Sequence, residues 1–159
     1  MDETFEKAGS GASLTYPVAA GQFRKGHYAM LKQNPCKITD ISISKTGKHG
    51  HAKARIVGIN IFTGVKYEDV CGTTHNMEAP HVDKKEYELV DIDEAQVILM
   101  DTDGEPKEDL NLPPGDLAEE LKKAHEEVQD DDGKSIMVCV LAAMAKEQII
   151  SFRVVTSDE

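Results

Sequence analysis

Tryptophan is missing from this chain of 159 residues, and phenylalanine and tyrosine together make up only 5% of it. A surface that grips single-stranded nucleic acid by stacking needs several aromatics, and past residue 86 the chain offers only Tyr87 and Phe152. Long apolar runs are missing too. The longest, Ile136 to Ala145, is about half of what a bilayer-spanning helix requires, so no membrane partner is expected. The opening residues Met1-Asp2-Glu3-Thr4-Phe5-Glu6 are acidic and polar, unlike a secretory signal with its basic start and apolar run. The three cysteines, Cys36, Cys71 and Cys139, cannot all pair, and none stands in a Cys-x-x-Cys arrangement. Free thiols without a secretory signal point to a reducing compartment, and the chain reads as cytoplasmic. Cys139, inside an apolar strand-like run, reads as a small buried hydrophobe.

Catalytic signatures are equally scarce. A phosphate-binding Walker loop ending at Gly47-Lys48 would need a glycine at position 42 and a hydroxyl residue after the lysine, but Ser42 and His49 stand there. His49 and His51 with Cys36 or His75 lack the spacing of a zinc site. Cys71 and His75 lack an orienting carboxylate. No enzyme activity, metal or cofactor is expected from these residues.

What the sequence has in abundance is unevenly distributed charge. The net charge is −11, yet through Lys85 there are 12 Lys+Arg against 8 Asp+Glu, a net +4, and from Glu86 onward 6 against 21, a net −15. Between Gly21 and Gly58 lie Arg24, Lys25, Lys32, Lys37, Lys45, Lys48, Lys53 and Arg55, with Asp40 as the one acidic residue. A polyanion suits the first half as a partner and does not suit the second.

The pattern of elements predicts a mostly β protein. Residues 1–12, ending Gly9-Ser10-Gly11, have no apolar period and read as a disordered arm. Residues 13–82 read as a small all-β barrel. Its expected strands are His27 to Lys32, Cys36 to Ser44, His51 to Asn60 and Val65 to Val70, with Asn34-Pro35 and Thr63-Gly64 as turns. Proline and the inversion of charge around Ala79-Pro80-His81-Val82-Asp83 mark the boundary to a second domain, residues 83–159. There, strands Glu86 to Ile92, Gln96 to Met100 and Asp109 to Leu112 precede a helix opened by Pro113-Pro114-Gly115-Asp116. Leu117, Leu121, Ala124 and Val128 form its apolar stripe, and Glu119 is placed to pair with Lys123. Strands Ser135 to Ala143 and Gln148 to Thr156 complete the element order of an OB-fold with one α-helix.

The most unusual stretch joins two of the first-half strands: Ser44-Lys45-Thr46-Gly47-Lys48-His49-Gly50-His51. Gly47 and Gly50 bracket Lys48-His49 and let the chain turn back on both sides of the pair, which displays Lys48 at a hairpin tip. On the outgoing strand His51, Lys53, Arg55, Val57, Ile59 and Ile61 alternate onto one face. That face reads as basic near the tip and apolar toward a root in the barrel.

From Ser44 through Ala52-Lys53, this stretch resembles residue for residue the modification loop of the eukaryotic translation factor five-A family. Pro35-Cys36-Lys37-Ile38, Ile61-Phe62-Thr63-Gly64, Thr74-His75-Asn76-Met77 and Pro114-Gly115-Asp116-Leu117 resemble further landmarks of that family. Gly72, Ile43 and the stretch from Gln22 to His27 depart from its pattern. The resemblance implies an N-terminal SH3-like β-barrel followed by a C-terminal OB-fold. It implies that Lys48 accepts an aminobutyl group from spermidine and is then hydroxylated to hypusine, with deoxyhypusine synthase and deoxyhypusine hydroxylase as partners. It further implies binding at the exit site of the ribosome, with Lys48 directed at peptidyl-tRNA to promote peptide-bond formation at proline runs and termination. Lys45, Thr46, Gly47, His49, Gly50, His51, Lys53 and Arg55 are the expected RNA-facing loop and flank. A homodimer is left open. The alternatives are a generic single-strand RNA-binding OB-fold protein, or a self-assembling structural relative without the modifiable loop.

Overall fold

The computed structural model describes residues 13–45 and 50–156, so the expected arm at residues 1–12 lies outside the described residues. The chain forms two compact units. The first runs to Val82 and takes in Ala143–Ala145, and the second comprises Asp83–Ala142 and Lys146 onward.

The first unit is built from β1 (Thr15–Ala19), a short 3-10 turn (Ala20–Gln22), β2 (Tyr28–Leu31), β3 (Asn34–Lys45), β4 (Ala52–Asn60), β5 (Lys66–Gly72) and β6 (Asn76–Pro80). Strands β2 to β5 form one antiparallel sheet in sequence order, and β1 pairs with β6 in a two-stranded sheet. The buried core holds Phe23, Ala29, Leu31, Cys36, Ile38, Ala54, Ile56 and Ala79, with Val18, Ile41, Tyr67, Cys71 and Met77 packed against it. This is the curled, all-β first domain expected from the sequence.

Three details differ from expectation. The strands β1 and β6 went unforeseen, and Pro80 is the last residue of β6, opposite Thr15, rather than a break in the pattern. A proline is tolerated at such a position because a strand end demands no further ladder hydrogen bond. Asn34-Pro35 is the start of β3, not a turn: Leu31 pairs with Asn34, and the chain reverses at Lys32 and Gln33, both with positive φ (52° and 68°). Two positive-φ residues give the turn the twist that matches the flanking strands.

The second unit comprises β7 (Asp83–Asp93), β8 (Gln96–Met100), β9 (Pro106–Asn111), α1 (Asp116–Gln129), β10 (Lys134–Ala143) and β11 (Lys146–Thr156), with sheet order β11-β10-β7-β8-β9. Three strands, a helix and two strands in this arrangement form the OB-fold. The helical stripe is as expected: Leu121 is fully buried, and Leu117, Ala124 and Val128 pack against Tyr87, Leu89, Val97, Leu99 and Ile149. Asp116 and Glu119 sit in the first turn, where carboxylates favour the positive end of the helix dipole. Glu119 pairs with Lys122 at 3.5 Å rather than with Lys123, since residues three apart also share a helix face. Cys139 is only half-buried, because Val138 and Val140 take the core positions of β10 and it falls on the alternate face; Cys36 is the fully buried thiol.

Candidate functional site: the β3–β4 ribbon

Strands β3 and β4 pair continuously from Cys36↔Asn60 to Lys45↔Ala52, with a bulge between Ile38 and Asp40. Bulges sharpen local twist and bend the strand that carries them. On β3 the last residue touching the core is Ile41; Ser42, Ile43, Ser44 and Lys45 are exposed. At about 3.4 Å per residue, the ribbon extends about 14 Å from Ile41 to Lys45.

Lys45 is thus the final residue of β3 and is exposed, Gly50 is half-buried, and His51, Lys53 and Arg55 are exposed along the outgoing arm. Thr46, Gly47, Lys48 and His49 lie outside the described residues. Lys53 stands opposite Ser44 and Gly72, and Arg55 opposite Ser42 and Val70. Lys45 stands opposite Ala52 and alternates onto the other face with Ile43 and Ala54. The cations of the ribbon therefore occupy both of its faces.

The rooting of β4 is a correction to the sequence reading. Its core face is the even-numbered one, where Ala54 and Ile56 are fully buried, and not the odd-numbered face of Lys53, Arg55, Val57 and Ile59. Ile59 is exposed, although Val57 is buried. The reason is close approach inside a narrow barrel. A Cβ added at Gly58 would come within 2.9 Å of the Lys37 carbonyl oxygen and 3.0 Å of both Cys36 Cβ and Leu31 Cδ1. That crossing takes a residue without a side chain, so Gly58 sets the even-numbered positions on the inside, with Ala54 and Ile56.

Sequence reasoning also missed Glu68. Arg55 donates from Nε to one Glu68 carboxylate oxygen at 2.6 Å and from a terminal nitrogen to the other at 3.0 Å, a two-pronged ion pair across β4 and β5. This pairing holds the Glu68 carboxyl below the usual carboxylate range and the Arg55 guanidinium above its own. The signal was present in the chain: a turn at Thr63-Gly64 sets Arg55 opposite Val70 and diagonal to Glu68. Glu68 itself lies outside the basic stretch from Gly21 to Gly58.

In the second unit the two aromatics are committed to packing. Tyr87 is buried in the core beneath the Lys85 and Lys107 ammonium groups, at 5.3 and 5.9 Å from its ring centroid, and Phe152 packs on the same core. Neither is a free stacking platform. Among the described residues no group of His, Cys, Asp and Glu could hold a metal ion, and no helix is long and apolar enough to cross a membrane.

Comparison with known proteins gives the same picture over both units. Residues 13–75 match the family described as "Translation initiation factor 5A-like, N-terminal". Residues 81–153 match "Eukaryotic elongation factor 5A hypusine, DNA-binding OB fold". The chain is 47% identical to eukaryotic translation initiation factor 5A-1 of Saccharomyces cerevisiae over 152 residues, covering 96% of this chain and 94% of that one. It is 46% identical to eukaryotic translation initiation factor 5A of Dictyostelium discoideum, covering 96% and 92%. Among solved structures, a translation initiation factor 5A family protein from Naegleria fowleri superimposes with a TM-score of 0.80 at 46% identity, covering 89% and 99%. The Methanococcus jannaschii relative gives 0.65 at 34% identity, covering 89% and 96%.

Proposed function

The chain belongs to the eukaryotic translation factor 5A family, and from that premise we propose that it works at the ribosome through a hypusine made from Lys48. In this reading spermidine supplies an aminobutyl group to the Lys48 amine, and a hydroxylation completes the side chain. Deoxyhypusine synthase and deoxyhypusine hydroxylase carry out these steps in the cytoplasm, and the protein is their substrate rather than an enzyme. The finished factor binds at the exit site and orients the acceptor end of peptidyl-tRNA, which favours peptide-bond formation at proline runs and at termination.

The observation that carries this reading is the intact Lys45-Thr46-Gly47-Lys48-His49-Gly50-His51 sequence between the outer ends of β3 and β4. The physical case is one of reach and charge. Lysine has one ammonium, with a pKa near ~10.4. The added chain turns that amine into a secondary amine and contributes a second, primary one, so two charges lie along one slender rod. Five further bonds extend it by roughly 6 Å, enough to enter an RNA cleft too narrow for a folded domain. Proline is stiff, its φ fixed by the ring, and steadying its tRNA in an attack-ready pose is an orientation effect that needs no proton transfer by the factor.

The test is mass spectrometry of protein isolated from its native source. The peptide containing Lys48 should be heavier than its sequence by one hydroxylated aminobutyl group, and protein made in bacteria without the two enzymes should carry plain lysine there. Native protein with unmodified Lys48 would overturn the proposal.

A further inference from the structure

The register of the β3–β4–β5 sheet places four cations on its outer face: Lys37 beside Ile59, Lys53, Arg55, and Lys66 on the far side of Ile59. Two carboxylates share that face, Asp40 and Glu68, both opposite Val57. Lys37, Lys53 and Lys66 form no ion pair among the described residues. Only Arg55 is engaged, by the two-pronged contact to Glu68.

A guanidinium fork accepts a phosphate as readily as a carboxylate, with the same pair of parallel hydrogen bonds. Glu68 therefore occupies the position a phosphodiester would take at Arg55. Both side chains are about half exposed, 48% for Arg55 and 45% for Glu68, so water and salt screen the pair and compete for both partners. Such a contact exchanges easily. Glu68 also feels the charges of Lys66 and Lys32, and Arg55 that of Asp40, so each partner has somewhere to turn when the pair opens.

We infer that Glu68 is a built-in competitor for an RNA phosphate at Arg55. The outer face of the sheet binds the phosphodiester backbone through Lys37, Lys53 and Lys66, and Arg55 joins them by exchanging Glu68 for a phosphate. The carboxylate thereby tunes how tightly, and at what salt, the face holds RNA. This deepens the proposed role at the ribosome, since it rests on RNA as the partner of the first domain, but it does not depend on modification of Lys48.

The experiment uses full-length protein made in bacteria and a fluorescent single-stranded oligoribonucleotide about ten nucleotides long, with affinity followed across a salt series. Glu68→Gln should bind about two to five times more tightly than the parent. It should also show a steeper salt dependence, by up to about 0.7, the value for one phosphate on a single strand, because the phosphate contact at Arg55 is no longer shared with Glu68. Glu78→Gln makes the same change of net charge on β6 and should gain less. Arg55→Gln should weaken binding, and the gain from Glu68→Gln should vanish in the Arg55→Gln background. A gain no larger than that of Glu78→Gln, or one that survives loss of Arg55, overturns the inference. So does weaker binding by Glu68→Gln, which would make the pair a brace for the ribbon. Failure of every variant to bind RNA at the lowest salt overturns it too, while leaving the mass test of Lys48 untouched.

Discussion

Single residues explain how the first domain holds its shape. Cys36 is fully buried among Leu31, Ile38 and Ile56. Burial pushes its thiol up to about 11 from an ordinary value of 9.0, although a hydrogen bond with the Leu31 backbone pulls the other way. In the unfolded chain the same thiol ionises near 9.0, so between the two values the native state holds the proton that the unfolded state loses. Stability must therefore fall as pH rises from about 9 toward 11. Denaturant unfolding of the parent and of Cys36→Ala over that range should show a steeper decline for the parent. Parallel curves would mean the thiol is not shielded from water. The Arg55–Glu68 pair is the opposite case, an exposed contact with little weight in stability and a larger one in what the face can bind.

At the scale of elements, the ribbon is what matters, and its geometry comes from a residue with no side chain. Gly58 sits where β4 passes over Lys37, Cys36 and Leu31, with no space for a methyl group. Gly58→Ala should lower the unfolding free energy of the first domain by about 1–3 kcal/mol, the usual cost of overfilling a packed interior. A urea titration measures it, and an unchanged midpoint would show that the strands can part at no cost. The same crossing explains which parts of the fold were legible in the sequence. The stripe of α1 and the strands around it follow from period and turn chemistry, and the OB-fold from their order. The facing of β4 did not follow, because the odd positions Val57, Ile59 and Ile61 are all apolar, whereas the even ones include Gly58 and Asn60. The close crossing of β4 over Lys37, Cys36 and Leu31 requires a glycine on the inside, a constraint that hydrophobicity alone does not express. The five-residue strands β1 and β6 escaped notice for a related reason: each carries a proline and neither is long enough to show alternation.

Across the whole molecule, charge divides as the fold does. The basic first half carries the ribbon, and the acidic second half, net −15 from Glu86 onward, closes into an OB-fold whose aromatics are spent on its core. Such a distribution suits a protein that offers RNA one domain and keeps the other away from it. The loop motif is what points to Lys48 as the lysine proposed to be modified, whereas the Arg55–Glu68 contact needed the register of β5. In the proposed function the chemistry added at Lys48 does the work, and the charge of the loop does not. The most direct measurement is the rate of peptide-bond formation through a proline run in a reconstituted translation system. It would compare protein made together with the two modifying enzymes, the same protein with plain lysine, and Lys48→Arg. Arginine keeps the positive charge but has no free amine to accept the aminobutyl group. Only the modified protein should speed the reaction, with the other two folded and inactive. Equal acceleration by all three would contradict it.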